Sequence, residues 1–404
     1  MQLFTPRDYL KIDIANSYGL DKKDWNERIE WFNTNEHQLE SLLKEAETPA
    51  LYYAGIVAWR DVNQGIASGY PISLDATASG FQLLACLTGD VQAAALCNVI
   101  NTGHREDAYT AIYESMLSQI DTSNNVSREM TKSAVMKSLY GSTAVPKKIF
   151  GEGELLDIFY KTMQDNAPYA WNLNQMFLQM WDADVIKYSW LLPDNFHVHC
   201  KVMAKIEETF HYLDQPYTLT RYENRGITEG RSLGANCTHS LDGFIVREMT
   251  RRCSYDPEVM NTALYAVTYH GHDGAAEYEG VPDANTKLLL TLWDHYKASG
   301  YLSARILDHI TDCNARYVDR QIIIDLIDTL PEKPFDLLSI HDCWRCLPSY
   351  GNDLRKQYNL QLALIAKSDM LAFILSGVLA KPITIEKPNP EMWLQVLNAE
   401  YALS

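Results

Sequence analysis

Asp75 ends a short apolar run containing Ile72 and Leu74. Small residues, Ala76, Thr77, Ala78, Ser79 and Gly80, separate it from a helical apolar pattern that begins at Phe81. Such a strand-to-helix junction leaves space beside the carboxylate for a bulky charged ligand. A second stretch, Ser127 to Gly141, spaces Arg128, Lys132, Met136 and Tyr140 so that on a helix they share one broad face. Gly141 stands where a helix commonly stops. In a third stretch, Phe335 to Pro348, two short apolar runs flank His341 and Asp342, the pattern of a hairpin whose turn presents a carboxylate. Taken singly, Asp75 reads as a helix cap and the basic helix as a solvated face. Together they describe phosphoryl transfer. Two carboxylates on separate strands can bridge a pair of Mg²⁺ ions that clamp attacking and leaving oxygens, and the cations can hold a triphosphate.

These parts need a large scaffold. With 404 residues and 47% hydrophobic content the chain can bury a sizeable core, as two or three domains or one large multi-part fold. The net charge of −17 argues against a wholly basic surface built to wrap duplex DNA, so any nucleic-acid contact is local or shared with a partner. No apolar run approaches the length that crosses a bilayer, and Met1 to Arg7 lacks the regions of a signal peptide. A cytoplasmic location with no membrane partner is expected. The eight cysteines have no framework spacing, which favours free thiols.

Residues 8 to 46 read as helices, with Trp25, Ile29 and Phe32 on one core stripe. An apolar run from Ala50 to Trp59 precedes the Asp75 strand, and Thr88-Gly89-Asp90 interrupts the helix after it. Further helices cover roughly Val91 to Ile100 and Asp107 to Gln119, and Asp121 to Asn125 marks a loop. Residues 155 to 183 are aromatic-rich and helical by pattern. From Phe196 the period switches to two, and a turn at Leu213 to Pro216 leads into Tyr217 to Tyr222, which reads as one long β-hairpin. Arg221, Arg225 and Arg231 near its returning side are candidates to meet phosphates. Asn236 to Gly243 opens a helix reaching Arg247, Arg251 and Arg252. Cys253 to Asp319 holds helices and a loop, Tyr269 to Asp273, whose histidines lack further metal ligands nearby. A helix over 318 to 330 leads to the Asp342 hairpin, and residues 353 to 380 read as one long apolar helix.

The order of D-x-x-x-S-G-x-Q at Asp75, R-x-x-x-K-x-x-x-M-x-x-x-Y-G from Arg128 to Gly141, and the pair His341-Asp342 resembles the A, B and C motifs of the bacteriophage and mitochondrial single-subunit RNA polymerases. Leu10-Lys11, Asn16, Gly19, Asp21-Lys22, Glu27-Arg28-Ile29 and Asn35 resemble the family's segment leading into the palm. Pro193-Asp194-x-Phe196-x-Val198 is similar to the start of its promoter-reading hairpin, and Asn236 to Arg247 to its histidine motif. Glu400 to Ser404 resembles its C-terminal foot.

The resemblance implies an α+β, mainly α fold with the palm and fingers of the polymerase right hand, lacking the N-terminal domain and thumb. Residues 1–88 would form the first part of the palm. Residues 89–239 would form the fingers, with the hairpin at about 196–231, and residues 240–404 the rest of the palm, with an insertion at about 253–319. It implies a DNA-directed RNA polymerase acting on NTPs along a melted or single-stranded DNA template, with two Mg²⁺ ions held by Asp75 and Asp342. Lys132, Tyr140 and His341 would join those aspartates in catalysis. Arg128, Lys44, Gly80, Met136, Gly141, Tyr109 and His239 would contact the substrate. Related DNA polymerases carry a glutamate where this chain has Gly80, and another after the His-Asp pair where it has Cys343, which speaks against a DNA polymerase or primase fragment. Keeping all these residues together also speaks against a non-catalytic scaffold.

The family's D-x-x-G-R motif lies upstream of the segment matched here. A split enzyme of this kind resembles the two-subunit middle-gene polymerase of N-four-like podophages. That likeness implies a smaller second subunit carrying D-x-x-G-R, an accessory single-stranded-DNA-binding factor, and work in the cytoplasm of an infected bacterium. Residues 8 to 46 are expected to leave an apolar patch for that subunit.

Overall fold

The computed structural model describes residues 1–120, 125–228 and 232–404. The Thr5 side chain accepts the Asp8 amide while the Asp8 carboxylate accepts the Thr5 amide, a reciprocal cap that opens α1 (Pro6–Ala15). A π-helical turn, Asn16–Leu20, with Gly19 at φ 118, redirects the chain into α2 (Trp25–Asn35), which Asp24 and Glu27 cap in the same way. With α3 (Pro49–Asn63) these helices bury Tyr9, Ile12, Ile14, Trp25, Phe32, Tyr52 and Ile56 almost completely. Each such side chain contributes about 1.5–3 kcal/mol of transfer free energy, so the platform is rigid. Residues 8 to 46 expose no large hydrophobic side chain, contrary to the patch expected there. Exposed apolar side chains occur one helix later instead, at Tyr53 and Val57 on one side of α3, at Leu51 on another, and at Ile66, because residues 8 to 46 turn their apolar faces inward.

Strand β1 (Ile72–Asp75) is held to α1 by buried Asp13, whose carboxylate accepts the Ser73 amide at 2.7 Å and the Tyr70 hydroxyl at 2.7 Å. Next come α4 (Ser79–Thr88), ended by Gly89 at φ 67, and α5 (Val91–Leu96). A helical layer follows: α6 (Ala108–Leu117), α7 (Arg128–Leu139), α8 (Ala144–Phe150), α9 (Glu154–Asn166) and α10 (Pro168–Gln179). Pro168 disfavours helical backbone at Ala167, which separates α9 from α10. The loop expected at Asp121 to Asn125 lies outside the described residues except for Asn125.

The alternating segment from Phe196 is not one strand. Its first part, β3 (His197–Lys201), pairs with β2 (Lys187–Leu191). The hairpin proper is β4 (Met203–Tyr212) with β5 (Gln215–Asn224). Val202 breaks the run because its amide turns to the Ile186 carbonyl at 2.9 Å. The turn is Leu213-Asp214, both with positive φ, the two-residue geometry that matches strand twist.

Helix α11 (Ser232–Cys253) begins before Asn236, so His239 sits within it. After it, α12 (Pro257–His270), α13 (Ala284–Ser299) and α14 (Arg320–Asp328) enclose a second, smaller core around Val267, Leu289, Ile306 and Ile323. This segment is tied back by buried Glu248, which accepts the Ala304 amide at 2.9 Å. Strands β6 (Leu338–Ile340) and β7 (Cys343–Cys346) complete a three-stranded antiparallel sheet in the order β1-β7-β6.

The long helix expected over 353 to 380 is two: α15 (Gly351–Lys367) and α16 (Met370–Leu379), bent by 61°. Lys387 stabilises the break by donating to the carbonyls of Ile365, Ala366 and Ser368, groups a helix end leaves open. A short α17 (Trp393–Val396) precedes the tail. All eight cysteines are free. Among the described residues no single helix is long and apolar enough to cross a membrane.

Candidate active site

The sheet brings the two aspartates together. β1 pairs with β7 in a register that sets Asp75 opposite Cys343, and the Ala76 amide donates to the Asp342 carbonyl at 3.1 Å. The β6–β7 turn is His341-Asp342, with His341 at φ 57, a sparsely populated conformation for a non-glycine residue. That turn aims Asp342 at the end of β1. Burial, and next the charge of Asp342, push the Asp75 carboxyl up to about 6. Arg105 opposes this only weakly.

The tail is a further edge of the same site. Asp75 and Ser404 exchange amide-to-carbonyl hydrogen bonds of 3.1 and 2.9 Å, and Ala76 and Leu403 form an antiparallel bridge. The Gln82 side chain donates to the Ala402 carbonyl at 2.8 Å. Tyr401 stacks on Trp25 with ring centroids 5.2 Å apart. Glu400 receives Arg355 at 3.1 Å. The backbone that presents Asp75 is therefore gripped from both sides.

Two cavities flank the aspartates. The first, about 380 Å³, is lined by Asp75 together with Asp21, Lys22, Arg105, Asp107, Tyr109, Arg128 and Lys132. Asp107 caps α6, accepting the Tyr109 and Thr110 amides, and forms an ion pair with Arg128, whose Nε also donates to the Thr110 hydroxyl at 2.6 Å. Those partners hold the Asp107 carboxyl below its usual range despite burial. Lys132 lies over the Tyr109 ring, 5.8 Å from its centroid. The cations are thus fixed along one wall, facing the carboxylates.

The second cavity, about 400 Å³, is lined by Asp342, His341, Tyr140, His239, Ser79 and Asp242 among others. Tyr140 ends α7 and stacks on His239 of α11, ring centroids 4.9 Å apart. A Cβ added at Gly80 would stand 2.5 Å from the Tyr140 hydroxyl. The space at Gly80, expected to contact the substrate, is therefore occupied by that phenol. Burial first, then Asp342, push the Asp242 carboxyl up to about 7.

Besides Gly80, three expected substrate contacts line neither cavity. Lys44 is exposed on a turn, and Lys22 faces the cleft in its stead. Met136 points outward, since four-residue spacing drifts around the helix over two turns, and Gly141 serves the chain reversal at φ 82. Arg221 of the hairpin is taken by Glu208 and Glu223 at 2.7 and 2.8 Å, and Arg231 lies outside the described residues. Arg105 and Asp107 were not singled out by sequence, while Asp21, Lys22, Ser79 and Asp242 lay within noted segments without a role at the site. Of these, Asp107 before Ala108-Tyr109-Thr110 carried a readable capping signal.

The donor chemistry suits a divalent cation. Mg²⁺ favours hard oxygen ligands and commonly takes one or two carboxylates, filling its shell with water and phosphate. Asp75 and Asp342 supply that pair, and the raised Asp75 carboxyl marks a charge not yet compensated by the protein.

Residues 5–214 match the family described as DNA-dependent RNA polymerase. The chain is 28% identical over 155 residues to a probable DNA-directed RNA polymerase of Neurospora crassa, covering 33% of this chain and 17% of that protein. It is 24% identical over 170 residues to the DNA-directed RNA polymerase of Pseudomonas phage phiKMV, covering 33% and 21%. Over 168 residues it is 24% identical to the mitochondrial DNA-directed RNA polymerase of Schizosaccharomyces pombe, covering 34% and 14%. The match therefore spans between a seventh and about a fifth of each relative's length.

Proposed function

We propose that this chain, which belongs to the phage and mitochondrial family of DNA-dependent RNA polymerases, adds ribonucleotides to RNA in the cleft between its two aspartate-flanking cavities. The observation that carries the reading is the meeting of Asp75 and Asp342 between a wall bearing Arg128 and Lys132 and a wall bearing Tyr140 and His239. One wall suits a triphosphate and the other a sugar. Asp75 and Asp342 would hold two Mg²⁺ ions, which supply charge stabilisation for attacking and leaving oxygens. Arg128 and Lys132, with Lys22 and Arg105 nearby, bind and orient the phosphates. Tyr140 and His239 line the side where a 2′-hydroxyl would be checked, and a site that bonds a hydroxyl penalises its absence.

A second polypeptide, carrying the D-x-x-G-R motif, completes the enzyme as in the split polymerases of N-four-like podophages. The support is the exposed pair Tyr53 and Val57 on one side of α3, and the acidic balance of −17. Phosphate contacts dominate nucleic-acid affinity, so a basic partner, or an accessory single-stranded-DNA-binding factor, would share the template. The setting in this reading is the cytoplasm of an infected bacterium.

The test is extension of an RNA primer on a DNA template by the natively purified complex, with NTPs and with dNTPs. Template-directed growth with NTPs is expected, and its loss in Asp75→Asn. Preferred growth with dNTPs would replace the reading with a DNA polymerase.

A further inference from the structure

Asp242 has no place in the chemistry described so far, yet it is built into the ribose-side cavity. It lies on α11 close after His239, and both line that cavity with Tyr140, Ser79 and Asp342. Ser79 lines the cavity with them, its hydroxyl within hydrogen-bonding reach of both the Tyr140 phenol and the Asp242 carboxyl. The missing side chain of Gly80 leaves the volume that the phenol fills, and the His239 ring stacks on one face of it.

We propose that Asp242, acting through Ser79, is a positioning residue that holds the Tyr140 hydroxyl in the orientation from which it meets the 2′-hydroxyl of an incoming ribonucleotide. The inference rests on the polymerase reading above. Asp242 is half-buried in the same cavity as Asp342, and a carboxylate there is disfavoured unless its oxygens accept hydrogen bonds. Its hydrogen bond to Ser79 offsets part of that penalty and fixes which lone pair the serine leaves for Tyr140. Without the acceptor, Ser79 is free to rotate and the phenol loses its preferred direction.

The experiment measures single-nucleotide incorporation by the native complex with NTPs and dNTPs. Asp242→Ala and Ser79→Ala should each lower the NTP-to-dNTP ratio of kcat/KM by about tenfold. Asp242→Asn retains an acceptor and should keep the ratio within about threefold of wild type. In a Tyr140→Phe background Asp242→Ala should lower the ratio no further, because the hydroxyl it positions is gone. An unchanged ratio in Asp242→Ala, a further additive drop in Tyr140→Phe, or an equal loss for both sugars with a changed Mg²⁺ requirement would each overturn the proposal. Should Asp242→Ala fail to melt cooperatively, Ser79→Ala carries the same test. A wild-type complex that incorporates no nucleotide defeats the polymerase reading. A working enzyme whose ratio ignores Asp242 defeats this inference alone.

Discussion

The hydroxyl of Tyr140 occupies the volume into which a side chain at residue 80 would grow, 2.5 Å from the position of a Cβ on Gly80, with Tyr140 Cζ 2.9 Å away. Van der Waals contact between such atoms needs more than 3 Å, so any larger residue at position 80 must displace the phenol. The displaced group is the far end of a side chain, which can swing without moving backbone. Gly80→Ala should therefore lower stability by only about 1–2 kcal/mol while reducing ribonucleotide discrimination as much as Tyr140→Phe does. Thermal melting and the NTP-to-dNTP ratio of kcat/KM check the two halves separately. A stable variant with wild-type discrimination would show that the phenol's position is irrelevant to sugar choice.

Asp75→Asn and Asp342→Asn are expected to abolish nucleotide addition and yet to raise the melting temperature of the metal-free chain. Each removes one of two neighbouring like charges, and repulsion from Asp342 is part of what lifts the Asp75 carboxyl to about 6. Sites arranged for a missing cation are commonly strained in this way. Near-normal elongation in either variant would remove that aspartate from the metal site.

Asp75 and Asp342 were legible because each ends or turns an apolar run, and such runs fix strands whose ends face a cleft. The helix bearing Arg128, Lys132 and Tyr140 was legible from its spacing and from Gly141. Lys44 and Met136 lie away from the two cavities because which side chains face a cleft depends on how each segment packs against its neighbours, which tertiary structure decides. The hairpin was placed too early because Val198, Cys200 and Val202 alternate as well as Ala204 and Ile206 do, and period alone does not reveal a change of partner strand. Asp242 stayed hidden because it converges with Ser79 only after α4 and α11 pack, a contact across more than 150 residues of chain. The break between α15 and α16 is held by Lys387, a side chain distant in sequence that no local pattern announces.

Deleting residues 401–404 should suppress activity more than it lowers stability. The deletion removes the Ser404 backbone bonds to Asp75, the Ala402 carbonyl that anchors Gln82, and the Tyr401 ring on Trp25. Without them one edge of β1 is unpaired where it carries the catalytic carboxylate, and small misplacements of reacting groups have large kinetic effects. Primer extension and melting of the truncated chain, measured side by side, test this. Full elongation by the truncated chain would show that the tail does not hold Asp75 in place.

Asp13, which also lines the first cavity, offers a pH test that is read on the metal-free chain without substrate. Burial pushes its carboxyl from 3.8 up to about 6, outweighing the opposing hydrogen bonds from the Ser73 amide and Tyr70 hydroxyl and the charge of Arg345. The folded chain therefore holds a proton here that the unfolded chain has already lost. The associated stability is fully present below the unfolded value and disappears as pH rises through 6. A shift of this size corresponds to about 3 kcal/mol. Asp13→Asn stays neutral throughout, and its carbonyl can still accept the Ser73 amide while its amide nitrogen donates to the Tyr70 oxygen. The variant should thus melt well above wild type at about pH 8, with the gap closing toward about pH 4. Comparing the two chains at each pH cancels the titration of Asp75 and Asp242, which are common to both. A melting difference that does not change with pH would mean that Asp13 is not the group whose ionisation strains the joint between α1 and β1.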